Sequence, residues 1–465
     1  MNGNRAKLSE GLSPLAGVGE LRRRSKAAED CAHSTTLTRV AKLLECGRLL
    51  PLWISRLDQR QSARGLAHSK TLARVAVALL CGLPMLRAAA LPEPKFRVVE
   101  VDAKIEIGYG VTVADVDGDK KPDILLADKK QIVWYRNPNW MKFVMAENLT
   151  PLDNVCIAAA DIDGDGKAEV AVGAQWNPND TVNSGAVFYL IAPADRTQKW
   201  DAVELPHEPT VHRMRWLRHA PDKYELVVVP LHGRGDKEGQ GAGVKIMGYK
   251  KPADPRQPWK TELINDSLHM THNFHPADWK PAASGEFFVA SREGVFHVVH
   301  EADAWKSGPL AGNTQSGFTG AGEVRSGKLP GGGRFLATVE PMHGHQLVIY
   351  TGSEAGEPNA LWNRHVIDAS LKEGHALACG DLLRVGSDQI VVGWRGKNAE
   401  GKVGIKLFVP LDNAGEKWSQ TLLDDNTMAC EDLCLADLNG DGKPDVIASG
   451  RATRNLKVYF NETSP

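Results

Sequence analysis

Trp418-Ser-Gln-Thr-Leu-Leu423, then Glu431 at the head of a second strand, then Asp437-Leu-Asn-Gly-Asp-Gly-Lys-Pro-Asp445, Val446-Ile447 and Leu456-Lys-Val-Tyr-Phe460 make up the unit that decides the fold. It reads as an aromatic-led outer strand, an inner strand, a tight acidic loop, a strongly apolar second strand and a third strand. The same order recurs along the chain. Its aromatic leaders are Phe96, Phe143, Trp200, Trp259, Trp305, Trp362 and Trp418. A second strand begins 12 or 13 residues after each, marked by Tyr109, Val155, His212, His272, Gly317, His375 and Glu431.

A period of about 45–60 residues with several short strands per unit predicts an all-β, seven-bladed β-propeller. Continuous apolar runs such as Asp123-Ile-Leu-Leu-Ala127 and Leu226-Val-Val-Val229 suit strands covered on both faces, as between stacked blades. The first strand, Phe96-Arg-Val-Val-Glu-Val101, precedes any inner strand, and the chain's last strand is a third one. The N-terminal outer strand is therefore expected to complete the final blade near Lys457–Phe460 and close the ring.

The formal charge of −1 is unevenly spread. Residues 1–90 carry 15 Lys/Arg against 6 Asp/Glu, so the remainder carries a surplus of ten negative charges and argues against a nucleic-acid partner. Lys70-Thr-Leu-Ala-Arg74, the apolar Val75 to Leu86 and Ala88-Ala89-Ala90 read as a signal peptide over 70–90. Its apolar run is too short for a membrane span. The expected location is secreted or periplasmic, with the propeller over 91–465. Residues 1–69 contain no Met after Met1. Two readings fit them: a translation start near residues 66–70 at a non-Met codon, or a disordered or targeting extension. Cys156, Cys379, Cys430 and Cys434 follow the signal, show no CxxC spacing, and read as buried small residues.

Three loops between inner and second strands share one pattern. They are Asp115-Val-Asp-Gly-Asp-Lys-Lys-Pro-Asp123, Asp161-Ile-Asp-Gly-Asp-Gly-Lys-Ala-Glu169 and the quoted 437–445 segment. Oxygen donors at positions 1, 3, 5 and 9 can wrap a hard cation, and flexible spacing favours Ca²⁺ over Mg²⁺. The expected calcium ligands are Asp115, Asp117, Asp119 and Asp123; Asp161, Asp163, Asp165 and Glu169; and Asp437, Asn439, Asp441 and Asp445. At these residues the chain resembles the FG-GAP/VCBS repeat family, whose calcium loops sit in propeller blades. The likeness runs from about residue 96 to the end, but blades 3 to 6 depart from the motif, as at Asp278-Trp-Lys-Pro and Asp381-Leu-Leu-Arg.

In a ring, equivalent residues approach one axis. His212, His272 and His375, with Glu431, share one repeat position, so three imidazoles could hold Zn²⁺, Mn²⁺ or Fe²⁺ and leave a position open. Hydrogen-bonded channel histidines without a metal are the competing reading, and His275 is a substitute for one of them. Glu431, Tyr109 and His275 are the acid/base candidates. Loops after the second strands bring Trp176, His232, Arg234, Arg292, His343, His345, Trp394, Arg395 and Arg451 to the same face. Aromatic faces and Arg forks there suit a carbohydrate or other small polar ligand.

The axial histidines, with Thr271-His-Asn-Phe-His-Pro276, resemble the propeller portion of aldos-2-ulose dehydratase, a sugar lyase. That resemblance implies a metal-dependent lyase or dehydratase acting on oxidised sugars. The cupin region of the fungal enzyme, and any isomerase activity tied to it, has no counterpart in this sequence. The alternative is a non-catalytic binding or adhesion module engaging an extracellular partner protein.

Overall fold

In three of the repeat units the leading tryptophan stands at or just before its strand, and its indole fastens the preceding turn. Trp200 Nε1 donates to Arg196 O at 3.1 Å, Trp259 Nε1 to Pro255 O at 3.0 Å, and Trp418 Nε1 to Gly415 O at 2.9 Å. The buried N–H thus has an acceptor while the ring packs between blades. The computed structural model describes residues 91–464 apart from 221–222, 278, 280–284, 313 and 353–359. The expected signal segment over 70–90, residues 1–69 and Asp278 lie outside the described residues.

The strands form seven four-stranded antiparallel sheets, and the chain is a seven-bladed β-propeller. From blade 1 to blade 7 the inner strands are Gly110–Ala114, Cys156–Ala160, Val211–Ala220, Thr271–Pro276, Glu323–Lys328, Gly374–Gly380 and Cys430–Ala436. Each lies against the next, and the strand of blade 7 lies against that of blade 1. In blade 7 the outer position is taken by Phe96–Asp102, paired antiparallel with Asn455–Asn461 in the register Val98↔Tyr459 and Val99↔Val458. Arg97 sits over the Phe460 ring at 4.6 Å and meets Glu462 at 2.8 Å.

Seven apolar clusters fill the seven gaps between neighbouring blades. One of them joins Ile124, Leu126 and Val133 of blade 1 to Ile447, Leu456 and Val458 of blade 7. Each fully buried Val, Leu or Ile contributes roughly 1.5–3 kcal/mol, so the ring is held mainly by blade-to-blade packing. Cys156, Cys379, Cys430 and Cys434 are free, and the first and third are buried. Burial pushes the Cys156 thiol up to about 12, which suits packing rather than thiol chemistry. Among the described residues no helix is long and apolar enough to cross a membrane.

Gly317 is not the blade 5 counterpart of the axial histidines. It lies in a turn, and the inner strand starts at Glu323, so the connection from Trp305 is longer than in the other blades. The residue at the shared position is Gly322, as the axial hydrogen bonds show.

Candidate functional site

The axial position is defined by one repeated hydrogen bond. His212 Nδ1 donates to His272 O at 2.8 Å, His272 Nδ1 to Gly322 O at 2.8 Å, and His375 Nδ1 to Glu431 O at 2.5 Å. Each imidazole thus reaches the main chain of the next blade. A carbonyl only accepts, so Nδ1 carries the proton in all three and Nε2 is the lone-pair nitrogen. The strands pair irregularly here: register shifts fall between Val211 and Arg213, Thr271 and Phe274, Gly374 and Ala376, and Cys430 and Asp432. Such bulges re-aim a side chain, and here they accompany His212, His272, His375 and Glu431.

Blade 5 contributes its histidine differently. Gly322 has no side chain, and a Cβ there would stand 3.2 Å from Met342 Cα and 3.3 Å from His343 N. The loop after the second strand, Arg334–Glu340, fills that space and presents His343. His343 holds a left-handed backbone (φ 54°), a conformation that costs a residue other than glycine on the order of 1–3 kcal/mol. The loop is fastened by Gly374 N–H donating to Gly344 O at 2.8 Å. His343 Nε2 then meets His272 Nε2 at 2.7 Å, and its ring lies 4.7 Å from that of His375.

One ligand nitrogen from each of His272, His343 and His375 falls within 4.8 Å of the others, and the first and last are buried. Burial holds His272 and His375 well below the usual imidazole range, with Arg213 adding to it for His272 and Arg395 for His375. His343 is held down to about 2 by burial and by its histidine neighbour. Neutral imidazoles with Nδ1 committed to a carbonyl are the form that binds metal through Nε2. Glu323 adds to the arrangement, its Oε1 standing 3.3 Å from His272 Nδ1. The donor set fits a divalent ion such as Zn²⁺, Mn²⁺ or Fe²⁺.

His212 is not part of this group. Its Nε2 accepts from Arg213 at 3.0 Å, and Trp176 stacks on its ring at 4.9 Å. The trio expected from repeat position is therefore replaced by one in which His343 takes the place of His212. Glu431 does not face a ligand position either: Arg395 holds one carboxylate oxygen at 2.7 Å and Arg451 the other at 2.9 Å. Tyr109 lies beneath the Arg451 guanidinium (5.3 Å) and donates to Asp153 at 3.1 Å. Burial raises its phenol to about 12, opposed by the Arg451 charge. His275 sits three residues further along its strand than His272, in a deeper layer of the channel.

The remaining face residues divide. Arg234 is bound to Val182 O and Glu208, and Arg292 to Glu238 O, so both guanidinia pack loops. Trp394 is buried in the gap between blades 5 and 6 and donates to Lys402 O, which places it in the core. His345 stands exposed on the rim, outside the cluster. His232 has a partner the sequence did not reveal: Asp236, buried, takes its Nδ1 at 3.1 Å. The backbone of His232 bridges to Met270, two residues from His272, which puts this pair at the channel rim. A His followed four residues later by Asp was the available signal.

On the loops at the other end of the inner strands, position 1 shapes each turn. Asp115 accepts from Gly118 and Lys120 amides, Asp161 from Gly164 and Gly166, and Asp437 from Gly440 and Gly442, all at 2.7–3.0 Å. Position 9 reaches back to the amide of position 2, at 2.9–3.0 Å in all three. Asp115, Asp117 and Asp123 approach within 4.8 Å, as do Asp161, Asp163 and Glu169. Burial raises Asp123 to about 6 and Glu169 to about 7, helped by the neighbouring aspartates, which is the repulsion a cation relieves. Position 5 stands apart: Asp119, Asp165 and Asp441 accept from the amide two residues on. Asn439 accepts from Asp441 N at 3.0 Å and Asp445 is pushed up by burial. Blade 6 keeps the same frame with fewer carboxylates, since Asp381 accepts from Val385 and Gly386 and Gln389 reaches back to Leu383.

Residues 115–172 match an FG-GAP-like repeat, and residues 157–190 match an FG-GAP repeat. The chain carries FG-GAP repeats. Residues 184–353 match the aldos-2-ulose dehydratase β-propeller domain, a span that includes His212, His272 and His343. No curated protein matches. Solved structures with similar backbones include a chain of the mitotic checkpoint complex, at 13% identity and TM-score 0.46, covering 86% of this chain and 96% of that one. A chain from BBS1N in complex with ARL6DN, soaked with lead, gives 13% and 0.48, covering 81% and 97%. The mercury-soaked counterpart gives 12% and 0.49, covering 80% and 98%.

Proposed function

We propose that this protein is an exported, calcium-stabilised propeller whose axial face binds a carbohydrate-like ligand and acts as a metal-dependent lyase on oxidised sugars. The observation that carries the reading is the convergence of His272, His343 and His375 within 4.8 Å, with the Nδ1 of two of them tied to main-chain oxygens. A divalent ion held there would supply the charge that polarises a ketone oxygen and acidifies the adjacent C–H. The match of residues 184–353 to a sugar dehydratase propeller supports the same class.

In this reading His232 is the base. Asp236 holds its Nδ1, which leaves Nε2 to accept the proton from the carbon next to the ketone. The electron pair of that C–H bond forms a C=C bond as hydroxide leaves the next carbon. Tyr109, held protonated by burial, turns its hydroxyl from Asp153 to donate to the leaving oxygen, so the products are an unsaturated ketone and water. Arg395 and Arg451, fixed by Glu431, border the same face and orient hydroxyl groups of the sugar.

The test is metal content and keto-sugar turnover, followed as absorbance of the conjugated product. Wild type is expected to hold one transition-metal ion per chain. His272→Ala, His343→Ala and His375→Ala should each lose metal and turnover, whereas His212→Ala should keep the metal. Wild-type protein that neither binds a divalent transition metal nor turns over with any added one would sink the enzymatic reading. A non-catalytic binding module on the same face would then stand.

A further inference from the structure

The shared register defines deeper layers of the channel. Three residues beyond the axial position, blades 3, 4 and 5 carry Arg215, His275 and Arg325, while the other four blades carry Thr112, Ala158, Ala378 and Cys434. Two arginines and a histidine thus occupy one side of this ring and small residues the other. The two arginines flank the strand that bears His275, and Arg215 lies over Phe274 of that strand at 5.8 Å. One layer above, Arg213 adds a third guanidinium.

Two carboxylates, Asp432 and Glu323, act on these guanidinia. Asp432 accepts from the amides of Val111 and Leu433, at 2.9 and 3.0 Å. Glu323 Oε2 accepts from Asn273 at 2.7 Å and pairs with Arg325 at 3.4 Å, while its buried Oε1 has no hydrogen-bond partner. Arg215 donates to Met214 O at 3.0 Å and Arg325 to Val324 O at 2.7 Å, each through one terminal nitrogen. Among the described residues Arg215 has no carboxylate partner, whereas Arg325 pairs with Glu323. Burial holds Arg215 below its ordinary range, and the charge of Arg325 adds to the effect. Three guanidinia stand against two carboxylates in a layer lined otherwise by small groups, and an anion would neutralise the surplus positive charge.

The layer meets a cavity through His275. His275 lines a cavity of about 550 Å³ together with Ser326, Lys328, Arg334 and Cys379. Its lining carries Lys328 and Arg334 together with Asp388, which accepts from the Lys328 amide at 2.8 Å.

We propose that blades 3 to 5 build an oxyanion site in the axial channel, where Arg215 and Arg325, with His275 between them, hold a carboxylate or phosphate group of a small molecule. Planar forks match both groups through paired N–H donors, which halides cannot use. The site rests on this layer alone and stands whether or not the histidines above it hold a metal.

The experiment is thermal stabilisation and calorimetry of the whole protein with inorganic phosphate, sodium glucuronate and sodium chloride at matched ionic strength. Phosphate or glucuronate is expected to give saturable stabilisation beyond chloride. Response to phosphate alone assigns the site to phosphoryl groups, and response to glucuronate alone assigns it to carboxylates. Arg215→Gln and Arg325→Gln should each weaken binding at least tenfold, and Arg215→Lys should weaken it less, because charge remains while the fork is lost. His375→Ala should bind the anion as wild type does, which separates this site from the metal reading. If Arg215→Gln does not fold, Arg325→Gln and Arg215→Lys carry the test. No response beyond chloride in wild type, or wild-type affinity in the glutamine variants, overturns the proposal.

Discussion

His272 Nδ1 donates to the main-chain oxygen of Gly322 at 2.8 Å, and this one bond fixes both the tautomer of the histidine and the position that blade 5 leaves empty for His343. The absent side chain is therefore part of the site. A methyl group at residue 322 would meet the main chain of Met342 and His343, which cannot move as a flexible side chain can.

Gly322→Ala is expected to push the 341–344 loop outward and carry His343 away from His272. The stability cost should be about 1–3 kcal/mol, the usual range for added volume in a packed site. Transition-metal affinity should fall by an order of magnitude or more. Titration with a chromophoric chelator, set beside a thermal melt, checks both; unchanged affinity would show that the loop has other room.

Calcium should raise the melting temperature, since a ligand at a hundredfold excess over its Kd adds about 2.7 kcal/mol to the folded state. Asp161→Ala combined with Asp163→Ala should weaken that response without removing an axial transition metal. Melts with calcium and with a calcium-selective chelator, run on both proteins, make the comparison. An equal response in the double variant would take the second-blade loop off the list of sites.

Deleting residues 91–102 should uncover the edge of the strand Asn455–Asn461, remove the Arg97 contacts with Phe460 and Glu462, and sharply lower stability. Thermal melts and light scattering of the shortened chain provide the measurement. A melting temperature equal to that of the full chain would mean the outer strand adds nothing to the seventh blade.

Asp236→Asn keeps the size of the buried partner of His232 but presents an amide to Nδ1. Turnover is expected to fall about 10²-fold or more, the scale of a general base, and the pH–rate profile should shift. Metal content should not change. A profile of unaltered shape with wild-type kcat would leave Asp236 as a packing residue only.

Repetition made the architecture legible. Seven aromatic leaders and continuous apolar runs such as Leu226–Val229 each report local burial, and a ring of blades is the arrangement that buries all of them at once. The acidic loops were readable for the same reason: their hydrogen bonds close within nine residues, so sequence spacing is nearly their geometry. The axial trio was readable only in part. His272 and His375 lie at the repeat position, but the longer connection after Trp305 moved the blade 5 register from Gly317 to Gly322. The third imidazole arrives from a loop 71 residues away from His272. His212, equivalent by count, has its lone pair taken by the adjacent Arg213, a contact set by a side-chain rotamer rather than by position. Trp394 went to the core for a like reason, because its indole found Lys402 O across its own hairpin. Periodicity, set by chain-local strand and turn preferences, thus determined the seven blades and where their loops fall. Which lone pairs remain uncommitted at the axis was decided only by packing between blades, since hydrogen-bond partners far apart in sequence compete for the same nitrogen.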